Sequence, residues 1–433
     1  MADAVLAAAP GEAEETARPQ LRAFASLVIL SGIVGLNTVD RNMFGLLLPQ
    51  IQHDVPISDT AMGFLMGPAF VIVYSFAGVP IAWLADRTGR RNIIAAGLAF
   101  WSAVTALTGA AQSLVHLLAA RMALGVGEAS NMAPTSALIG DMFRGRWRVL
   151  AMAVFSAGGP LAIMLCYPLI GWIAERHSWR FAYPVMGAVG LLVALLTLAV
   201  VREPKRKAAA AAPAETSDGF FRSAFNILWS KSFLLLCAGG VMVSINYSAV
   251  LAWIPAFMLR VHGLDAQATG ALLGTYKGLI GVFATLAGGV VVTLLMRLDR
   301  RWMAWAPALF ALAMIPAQLM LLLADNPLWW HVGLALETVG MQGITPALFA
   351  LLITLLEPRV RATGAALYLL IFNLLGQSIG PVAVGWLNDH AFASLGPEAI
   401  RYSLLTAPAV IALGVILLFA LSLSMEGGKE EID

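Results

Sequence analysis

Charged residues are scarce in this chain, and that scarcity excludes the class of soluble globular proteins. They make up 12% of the 433 residues, whereas 60% are hydrophobic, and the mean hydropathy is +0.81. A soluble domain carries about 25% charged residues. The composition therefore indicates a protein that crosses a membrane many times.

Cysteines and the short motifs of enzymes are scarce as well. The two cysteines, Cys166 and Cys237, fall within apolar runs and indicate neither a disulfide framework nor a metal site. The sequence has no Gly-Lys-Ser/Thr phosphate-binding loop, no His-Glu-x-x-His zinc motif and no serine on a strand-to-helix nucleophile turn. We therefore expect neither an ATP-driven pump nor a hydrolase, and no cofactor, metal or nucleic-acid partner.

Long apolar runs fill most of the chain. About 20 apolar residues form a helix that spans the hydrocarbon core, and windows of that length predict twelve spans. They are residues 21–50, 59–85, 91–111, 114–140, 147–173, 180–201, 231–259, 267–296, 301–324, 328–356, 361–387 and 401–424. The runs are continuously apolar, unlike the alternating segments of about ten residues in membrane β-barrels. We therefore predict an all-α integral membrane fold.

Polar segments divide the chain into five parts. We predict a disordered N-terminal tail at 1–20, a six-helix bundle at 21–201, a cytoplasmic linker at 202–230, a second six-helix bundle at 231–425 and a short tail at 426–433. The linker contains a basic run, Lys205-Arg206-Lys207. This run either contacts anionic lipid or only anchors the chain on the cytoplasmic side.

The distribution of Lys and Arg predicts the orientation of the chain in the membrane. With the N-terminus inside, twenty basic residues fall on the cytoplasmic side, including those at 87–91, 144–148 and 202–231. The outer side receives four, which are Arg176, Arg180, Arg260 and Arg401. We therefore predict a multi-pass protein of the plasma (inner) membrane with both termini in the cytoplasm.

The two halves of the chain match in an ordered series of residues. Pro134, Arg146, Arg148, Gly171-Trp172 and Glu175 recur as Pro346, Arg359, Arg361, Gly385-Trp386 and Asp389, at offsets of 212 to 214 residues. Matched bundles in the same orientation are the arrangement of one large class of transporters, which bind substrate between them. The series predicts twelve transmembrane helices in two pseudo-symmetric six-helix bundles.

Four charged residues lie within predicted spans of the first half. Arg121 and Glu128 in span four are seven residues apart, so they face the same way, about 10 Å apart along the helix axis. Asp40 and Arg41 in span one carry compensating charges. An ionised group near the bilayer centre costs about 2.5–3.5 kcal/mol on insertion scales, so such groups are paired or reached by water. We interpret the four residues as the lining of a transport pathway.

The spacing of these charges is compatible with two ion pairs, Asp40 with Arg121 and Arg41 with Glu128. Burial and a nearby arginine act in opposite directions on the affinity of a carboxyl for a proton, and protonation breaks an ion pair. The hypothesis is proton-coupled alternating access, with the two acids as proton carriers and the two arginines as charge partners or anchors for an anionic headgroup. The alternative is a permanently paired group that only holds helices one and four together.

A loop motif follows span two. It reads Gly78-Val-Pro-Ile-Ala-Trp-Leu-Ala-Asp86-Arg87-Thr-Gly89-Arg90-Arg91. This motif resembles the loop signature of the major facilitator superfamily, in which it holds the cytoplasmic side closed. The resemblance implies that role for Asp86, Arg87 and Arg90, and Gly78 is expected to permit close helix contact. The alternative is that the arginines only set the topology.

Further motifs of the first half carry a narrower resemblance. They are Asp40-Arg41, Ile57-Ser-Asp-Thr, the loop motif, Gly125-Val-Gly-Glu128-Ala and Trp179-Arg-Phe. Together they resemble the Spinster-like branch of the major facilitator superfamily. Spinster-like proteins of eukaryotes move lysophospholipids and sphingosine phosphates, so the resemblance implies a cargo of that kind.

The second half contains one comparable pair of charges. Lys277 in span eight and Glu337 in span ten are each isolated in apolar sequence. They either contact the substrate or only compensate one another. The other candidates for a cavity lining in this half are Asn246, Tyr247, Tyr368, Asn373 and Gln377. Hydrogen bonding between helices is the equally weighted alternative for these side chains.

These observations predict a secondary active transporter rather than an enzyme. We expect proton-coupled alternating access that moves an amphipathic anion such as a lysophospholipid or a sphingosine-phosphate-like lipid. One alternative is an exporter of small organic anions or drugs with the same fold, and another is a gradient-independent lipid scramblase or a non-transporting receptor. Protons and membrane lipid are the other expected partners, and we expect a monomer.

Overall fold

The structure is a computed structural model, and it describes residues 21–203, 229–296, 299, 301–356 and 361–423. The predicted tails and most of the predicted linker lie outside these residues, so the predictions for them remain predictions. Within the described residues, every regular element is a helix.

Eight α-helices form the first half of the described chain. They are α1 (Leu21–Asp54), α2 (Asp59–Met66), α3 (Pro68–Arg87), α4 (Arg90–Thr108), α5 (Leu114–Glu128), α6 (Met132–Met142), α7 (Gly145–Arg176) and α8 (Trp179–Val200). Helices α2 and α3 share one predicted span, and α5 and α6 share another. The eight helices therefore correspond to the first six predicted spans.

The second half combines α-helices with short segments of other helical geometry. They are α9 (Lys231–His262), α10 (Ala266–Leu273), a π-helical turn (Gly274–Ile280), α11 (Gly281–Met296), α12 (Trp302–Leu323), α13 (Pro327–Leu355), α14 (Arg361–Ile371), a π-helical turn (Phe372–Gly376), α15 (Gln377–Trp386), a π-helical turn (Leu387–Ala391), a 3₁₀ segment (Ala393–Glu398), α16 (Ala399–Leu404) and α17 (Thr406–Ser422). These elements follow the order of predicted spans seven to twelve.

Most of these helices are long and apolar enough to cross a membrane. Nine helical segments of the described chain meet that condition by length and composition. Predicted spans three, four and ten are helical as well, as α4, as α5 with α6, and as α13. The all-α integral membrane fold predicted from the hydropathy is therefore confirmed.

Proline and glycine set the breaks between helices. Gly67 separates α2 from α3 with φ −110° and ψ −96°, because the proline at position 68 disfavours α geometry in the residue before it. Pro68 itself begins α3, where the missing N–H costs nothing. Gly263 ends α9 in the left-handed region at φ +68°, which a side chain would disfavour.

The π-helical turns of the second half coincide with predicted functional residues. The first of them contains Lys277, and the second contains Asn373. Such turns are rare in proteins and are found frequently at functional sites. Two of the predicted cavity residues therefore sit where the helix departs from α geometry.

Helices α1 and α9 form the centre of the molecule. They are the most deeply buried of the candidate spans in the described chain. Helix α1 packs against α7 and α8, α9 packs against α15 and α17, and the two helices contact each other. A Cβ atom at Gly45 would lie 2.7 Å from the backbone oxygen of Ala252, so the helices touch backbone to backbone. The charged residues of span one therefore lie beside the boundary between the halves.

A crossing of α2 over α15 joins the two halves. Gly63 in α2 and Gly67 at its end are one turn apart, and a Cβ atom at Gly67 would lie 3.0 Å from the backbone oxygen of Gln377. A Cβ atom at Gly63 would lie 2.8 Å from the carbonyl carbon of Pro381. This approach depends on small residues, as in other close crossings of membrane helices.

A matching crossing of α10 over α7 joins the halves a second time. Gly270 in α10 and Gly274 after it repeat the four-residue spacing. Cβ atoms there would lie 3.1 Å from the carbonyl carbon of Tyr167 and 2.9 Å from Cδ of Pro168. The two crossings are therefore equivalent, with the roles of the halves exchanged.

The Gly-Trp pairs of the internal repeat belong to these crossings. Gly171 in α7 lies against Ala266, the first residue of α10, and Gly385 in α15 lies against Asp59, the first residue of α2. Cβ atoms at the two glycines would lie 3.0 Å and 2.7 Å from the respective carbonyl carbons. The repeat noted in the sequence thus marks two equivalent contacts between the halves, in keeping with a pseudo-symmetric fold.

The crossing of α2 over α15 predicts the effect of a single methyl group. We expect Gly63→Ala to lower the unfolding free energy by about 1–3 kcal/mol, because the new Cβ overlaps the backbone at Pro381. Thermal unfolding of the detergent-solubilised protein measures the change. The control is Gly32→Ala in α1, where a Cβ would meet nothing within 4 Å. Equal melting temperatures for the two variants would contradict the crossing.

Candidate functional site

An ion pair between α1 and α5 lies at the centre of the first half. Arg41 Nε donates a hydrogen bond to Glu128 Oε2 at 2.7 Å. The amide of Asn37, one turn before Arg41 on α1, donates to the same oxygen at 2.7 Å. The structure therefore contains the Arg41–Glu128 pair suggested by the sequence, and it adds Asn37, which sequence reasoning missed.

Aromatic rings hold the Arg41 guanidinium from a second side. Its central carbon lies 4.6 Å from the ring centroid of Phe70 and 4.5 Å from that of Tyr74. The two rings are one turn apart on α3 and stack at 5.5 Å. Cation–π contacts of this kind stabilise a desolvated guanidinium. Arg41 is thus placed between a carboxylate and an apolar, aromatic surface.

The Glu128 carboxylate is not fully paired. Its side chain is 1% exposed, and both described donors converge on Oε2. The other oxygen, Oε1, is buried and has no hydrogen-bond partner among the described residues. A buried carboxylate oxygen without a donor is costly. Oε1 is therefore the atom at which a proton would be accommodated with the least rearrangement.

Asp40 and Arg121 do not form the predicted ion pair, so that prediction is wrong. The Arg121 guanidinium lies over the ring of Phe44 at 4.2 Å, and its Nη2 has no hydrogen-bond partner among the described residues. Phe44 follows Asp40 by one turn of α1, so the guanidinium packs on the ring of that residue without an ion pair to the carboxyl. Asp40 is 7% exposed and lies beside Trp101 of α4, still within electrostatic range of Arg121 and Glu128.

Two glycines explain how α5 reaches this position. A Cβ atom at Gly125 would lie 2.8 Å from the backbone oxygen of Phe70 in α3, and one at Gly127 would lie 2.7 Å from Cβ of Trp101 in α4. Helix α5 therefore fits closely between α3 and α4. This packing brings Glu128 to the aromatic rings that hold Arg41.

The loop motif after α3 makes contacts within the first half. Arg90 Nη1 donates to Asp141 Oδ2 at 2.6 Å, and the Arg87 guanidinium lies 3.8 Å from the ring centroid of Trp83. The side chain of Asp86 lies outside the described residues. The role of Asp86, Arg87 and Arg90 in holding one side closed therefore remains a prediction.

The expected close helix contact at Gly78 is not present. A Cβ atom at this position would meet no heavy atom within 4 Å. The residues around it on α3, including Val79 and Trp83, are exposed. Among the described residues, therefore, no neighbouring helix approaches the position that a Cβ of residue 78 would take.

Lys277 and Glu337 form the ion pair that their isolation in apolar sequence suggested. The Lys277 ammonium donates to Glu337 Oε2, and the two side chains come from the first π-helical turn and α13. Glu337 is fully buried, and its Oε1 has no hydrogen-bond partner among the described residues. The second half thus repeats the pattern of the first, an ion pair with one carboxylate oxygen left over.

Two of the other predicted cavity residues are core residues instead. Asn246 is fully buried and exchanges two hydrogen bonds of 2.9 Å with Gln318, while also donating to the backbone oxygen of Ala407. Tyr368 is 2% exposed and packs in the apolar core of the second half. For both side chains the structure shows the alternative to a cavity lining, because packing between helices satisfies or encloses them.

The remaining candidates lie nearer the boundary between the halves. Asn373 and Gln377 are half-buried, and the Gln377 amide donates to Asn373 Oδ1 at 2.5 Å. Tyr247 on α9 is half-buried and lies within electrostatic range of both Arg41 and Glu337. Tyr247 is therefore within electrostatic range of one charged residue from each half.

A polar cluster that the sequence did not reveal joins the halves where α1 ends and α2 begins. We call it the cross-half cluster; it consists of Gln52, Asp59, Arg260 and Asn388. Arg260 binds both oxygens of Asp59, at 2.5 Å and 2.8 Å, and also donates to Gln52 at 2.8 Å. Asn388 donates to Asp59 at 2.8 Å. A planar guanidinium with two bonds to one carboxylate is a strong and directional contact.

The start of α2 is capped by the other half of the chain. Asp389 accepts hydrogen bonds from the backbone N–H groups of Asp59 and Thr60, at 3.2 Å and 2.7 Å, and from the Thr60 hydroxyl at 2.6 Å. A carboxylate at a helix N-terminus also interacts favourably with the helix dipole. The available signal was the acidic residue of the repeat, but nothing in the sequence indicated its partner.

Comparison with known proteins identifies the family. The family model of the Major Facilitator Superfamily matches residues 30–381. The chain belongs to the major facilitator superfamily. It is therefore a relative of membrane transporters with small-molecule substrates, and the predicted fold class and family are confirmed.

Relatives within the superfamily are similar over most of their length. The chain is 33% identical over 396 residues to an MFS-type efflux pump of Mycolicibacterium smegmatis, covering 90% of each protein. It is 26% identical over 420 residues to the sphingosine-1-phosphate transporter SPNS2 of Danio rerio, covering 90% of this chain and 82% of that protein. The second relative supports the Spinster-like resemblance.

A solved structure has the same fold. It is a bacterial homologue of the human lysosomal transporter Spinster in an inward-facing and unoccupied conformation, which superposes with a TM-score of 0.78 at 23% sequence identity. The superposition covers 94% of this chain and 98% of that one. At 23% sequence identity, this structural similarity shows that the two chains share a fold.

The Arg41–Glu128 pair predicts a non-additive effect on stability. We expect Arg41→Met to lower the unfolding free energy by about 3–5 kcal/mol, because it leaves a buried carboxylate without its cation. The double variant Arg41→Met/Glu128→Gln should recover most of that loss, since no charge remains. Denaturant unfolding in detergent measures both. A double variant no more stable than Arg41→Met would show that the pair is not what compensates Glu128.

The cross-half cluster predicts a local effect on hydrogen exchange. We expect Asp59→Asn to accelerate amide exchange at the start of α2 and in residues 385–391 by about tenfold, because it weakens a bidentate charged contact. Mass spectrometry of the exchanged protein measures the rates. The control is Asp54→Asn, since Asp54 accepts its bonds from Trp179 and Arg180 of the same half. Unchanged exchange in Asp59→Asn would contradict a contact between the halves.

Proposed function

We propose that this superfamily member is a proton-coupled secondary transporter that moves an amphipathic anion by alternating access. Glu128 and Asp40 are the proton carriers, and Arg41 and Arg121 are their charge partners. The observation that carries the proposal is the Glu128 carboxylate, which is 1% exposed, bound to Arg41 through Oε2 and left without a donor at Oε1.

The arrangement couples a proton to an anion through Arg41. A proton on Oε1 removes the charge of Glu128 and weakens its bond with Arg41. The Arg41 side chain is 24% exposed, and its guanidinium then becomes available to an anionic group. Loss of the proton restores the ion pair and expels the anion, so the two ligands bind and leave together.

Asp40 adds a second acid to the same site. It has no ion-pair partner among the described residues, and it lies within electrostatic range of Arg121 and Glu128. An acid that is not locked in an ion pair can exchange a proton without breaking one. We assign to Asp40 the role of passing the proton between the pathway and Glu128.

The chemistry around Arg41 supports an amphipathic cargo. The guanidinium lies against the rings of Phe70 and Tyr74, so an anionic headgroup bound there would have apolar surface beside it. The similarity to the sphingosine-1-phosphate transporter SPNS2 of Danio rerio supports the same class. A lysophospholipid or a sphingosine-phosphate-like lipid has both features.

The predicted orientation gives the two ends of the pathway different roles. With both termini in the cytoplasm of a cell bounded by the plasma membrane, the cross-half cluster lies on the outer side and closes it. The loop motif with Asp86, Arg87 and Arg90 then lies on the cytoplasmic side, where Gly78 faces open space. We propose that release of the cross-half cluster and closure at the loop motif accompany one another.

A second candidate function is export of small organic anions or drugs. The observation that favours it is the 33% identity with an MFS-type efflux pump of Mycolicibacterium smegmatis over 90% of both chains. The charged site would serve such cargo equally well, but the apolar surface beside Arg41 would then be unused. Purified protein that is thermally stabilised by small organic acids and not by lysolipids would support this candidate.

Proton coupling predicts the behaviour of two variants in proteoliposomes. We expect Asp40→Asn and Glu128→Gln each to reduce accumulation of radiolabelled lysophosphatidic acid under a pH gradient by about tenfold or more, the scale of a typical coupling free energy. The control is Glu175→Gln, which removes an exposed carboxylate at the end of α7. Full accumulation in both variants would contradict the assigned roles. Movement without any gradient in the wild type would instead indicate a scramblase.

A further inference from the structure

The Lys277–Glu337 pair has no part in the proton-coupling mechanism proposed for the first half. It lies in the second half, on the π-helical turn Gly274–Ile280 and on α13. Both side chains are buried, and each is the charged residue of an otherwise apolar helix segment. A buried pair of this kind contributes little net stability, so its presence calls for another reason.

The position of Lys277 is at the boundary between the halves. In the same π-helical turn, a Cβ atom at Gly278 would lie 2.5 Å from Cα of Met164 in α7, and one at Gly274 would lie 2.9 Å from Cδ of Pro168. The turn therefore touches the first half through its glycines. Lys277 is one residue from this contact, in a stretch of helix that is not held in α geometry.

Lys277 and Glu337 differ in their solvent exposure and in their hydrogen bonding. Glu337 is 0% exposed, whereas Lys277 is 9% exposed. The ammonium has three N–H groups and gives one to Glu337 Oε2, with no other acceptor among the described residues. Lys277 is therefore the member of the pair that a ligand can reach, and its ammonium has N–H groups that can still donate hydrogen bonds.

Tyr247 connects this pair to the site of the first half. It is half-buried on α9, within electrostatic range of Glu337 on one side and Arg41 on the other. Its hydroxyl has no hydrogen-bond partner among the described residues. A charged residue of each half, Arg41 in the first and Glu337 in the second, therefore acts on the same tyrosine.

We propose that Lys277 binds the acidic group of the transported amphiphile, and that this group replaces Glu337 as its partner. The inference rests on the proposed transport of an amphipathic anion and names the contact that the second half makes. The ligand class is an amphiphile with a phosphate or carboxylate headgroup. A neutral amphiphile of the same chain length has no group that can make this exchange.

The exchange replaces one anion beside Lys277 by another, and Glu337, which loses its cation, takes up a proton as the exchange occurs. Lys277 keeps a compensating charge throughout, so no uncompensated cation is left in the membrane. A phosphate or carboxylate with several oxygens can accept hydrogen bonds from the N–H groups of Lys277 that Glu337 does not bind. Neutralising Glu337 removes the competitor and should strengthen binding of the anion.

Binding by purified, full-length variants tests the exchange. The anionic probe is 1-oleoyl lysophosphatidic acid and the neutral probe is 1-monooleoylglycerol, titrated in detergent with microscale thermophoresis. We expect Glu337→Gln to bind the anionic probe about tenfold tighter than wild type, and Lys277→Met about tenfold weaker, the effect of one charge-assisted hydrogen bond. Neither variant should change binding of the neutral probe.

Two further variants separate binding from folding. Lys277→Met/Glu337→Gln carries no buried charge at this position and should bind the anionic probe as weakly as Lys277→Met, whereas Lys277→Arg should retain affinity near that of wild type. Wild-type affinity in the double variant, or no tightening in Glu337→Gln, would overturn the inference while leaving the proposed transport intact. A wild-type protein that does not bind the anionic probe would overturn the proposed cargo class together with the inference.

Discussion

The close approach of helix backbones at glycine positions is the constraint on which the rest of the structure depends. The halves are joined by two equivalent crossings, α2 over α15 and α10 over α7. In each crossing, glycines of one half pack directly against the backbone of the other half. Lipid offers helices no hydrophobic drive to associate, so such packing carries much of the association. The crossings lie near the starts of two spans, at residues 59–67 and 266–274.

The packed helices bury charged side chains whose hydrogen bonding is incomplete. In each half a carboxylate is bound through one oxygen and has a second buried oxygen with no donor, at Glu128 and at Glu337. A protein selected only for stability would replace such groups by apolar ones. Their presence on both sides of the boundary between the halves fits the superfamily, whose members bind a substrate there. Tyr247 is within electrostatic range of Arg41 and Glu337, and it belongs to one of the two most deeply buried spans of the described chain.

Hydropathy predicted the helices well because a run of about 20 apolar residues has few alternatives in a membrane. The seven-residue spacing in α5 and the isolation of charges in apolar sequence were enough to suggest the Arg41–Glu128 pair. The predicted Asp40–Arg121 pair was wrong because the Arg121 guanidinium lies over the ring of Phe44 instead. The spacing of residues in the sequence does not show which neighbouring side chain an arginine contacts. The cross-half cluster was missed for a different reason. Two of its bonded members, Asp59 and Asn388, are 329 residues apart, and no local pattern links them.

The cap of α2 has a consequence for how the pathway opens at that end. The N–H groups of its first two residues, Asp59 and Thr60, are satisfied by Asp389, a residue of the opposite half. When the halves part there, those donors lose their acceptor and must find one in solvent, since bare helix ends are costly. Water entry is then a condition of opening rather than its result. Solutes that lower water activity and cannot enter the mouth should therefore favour the closed form.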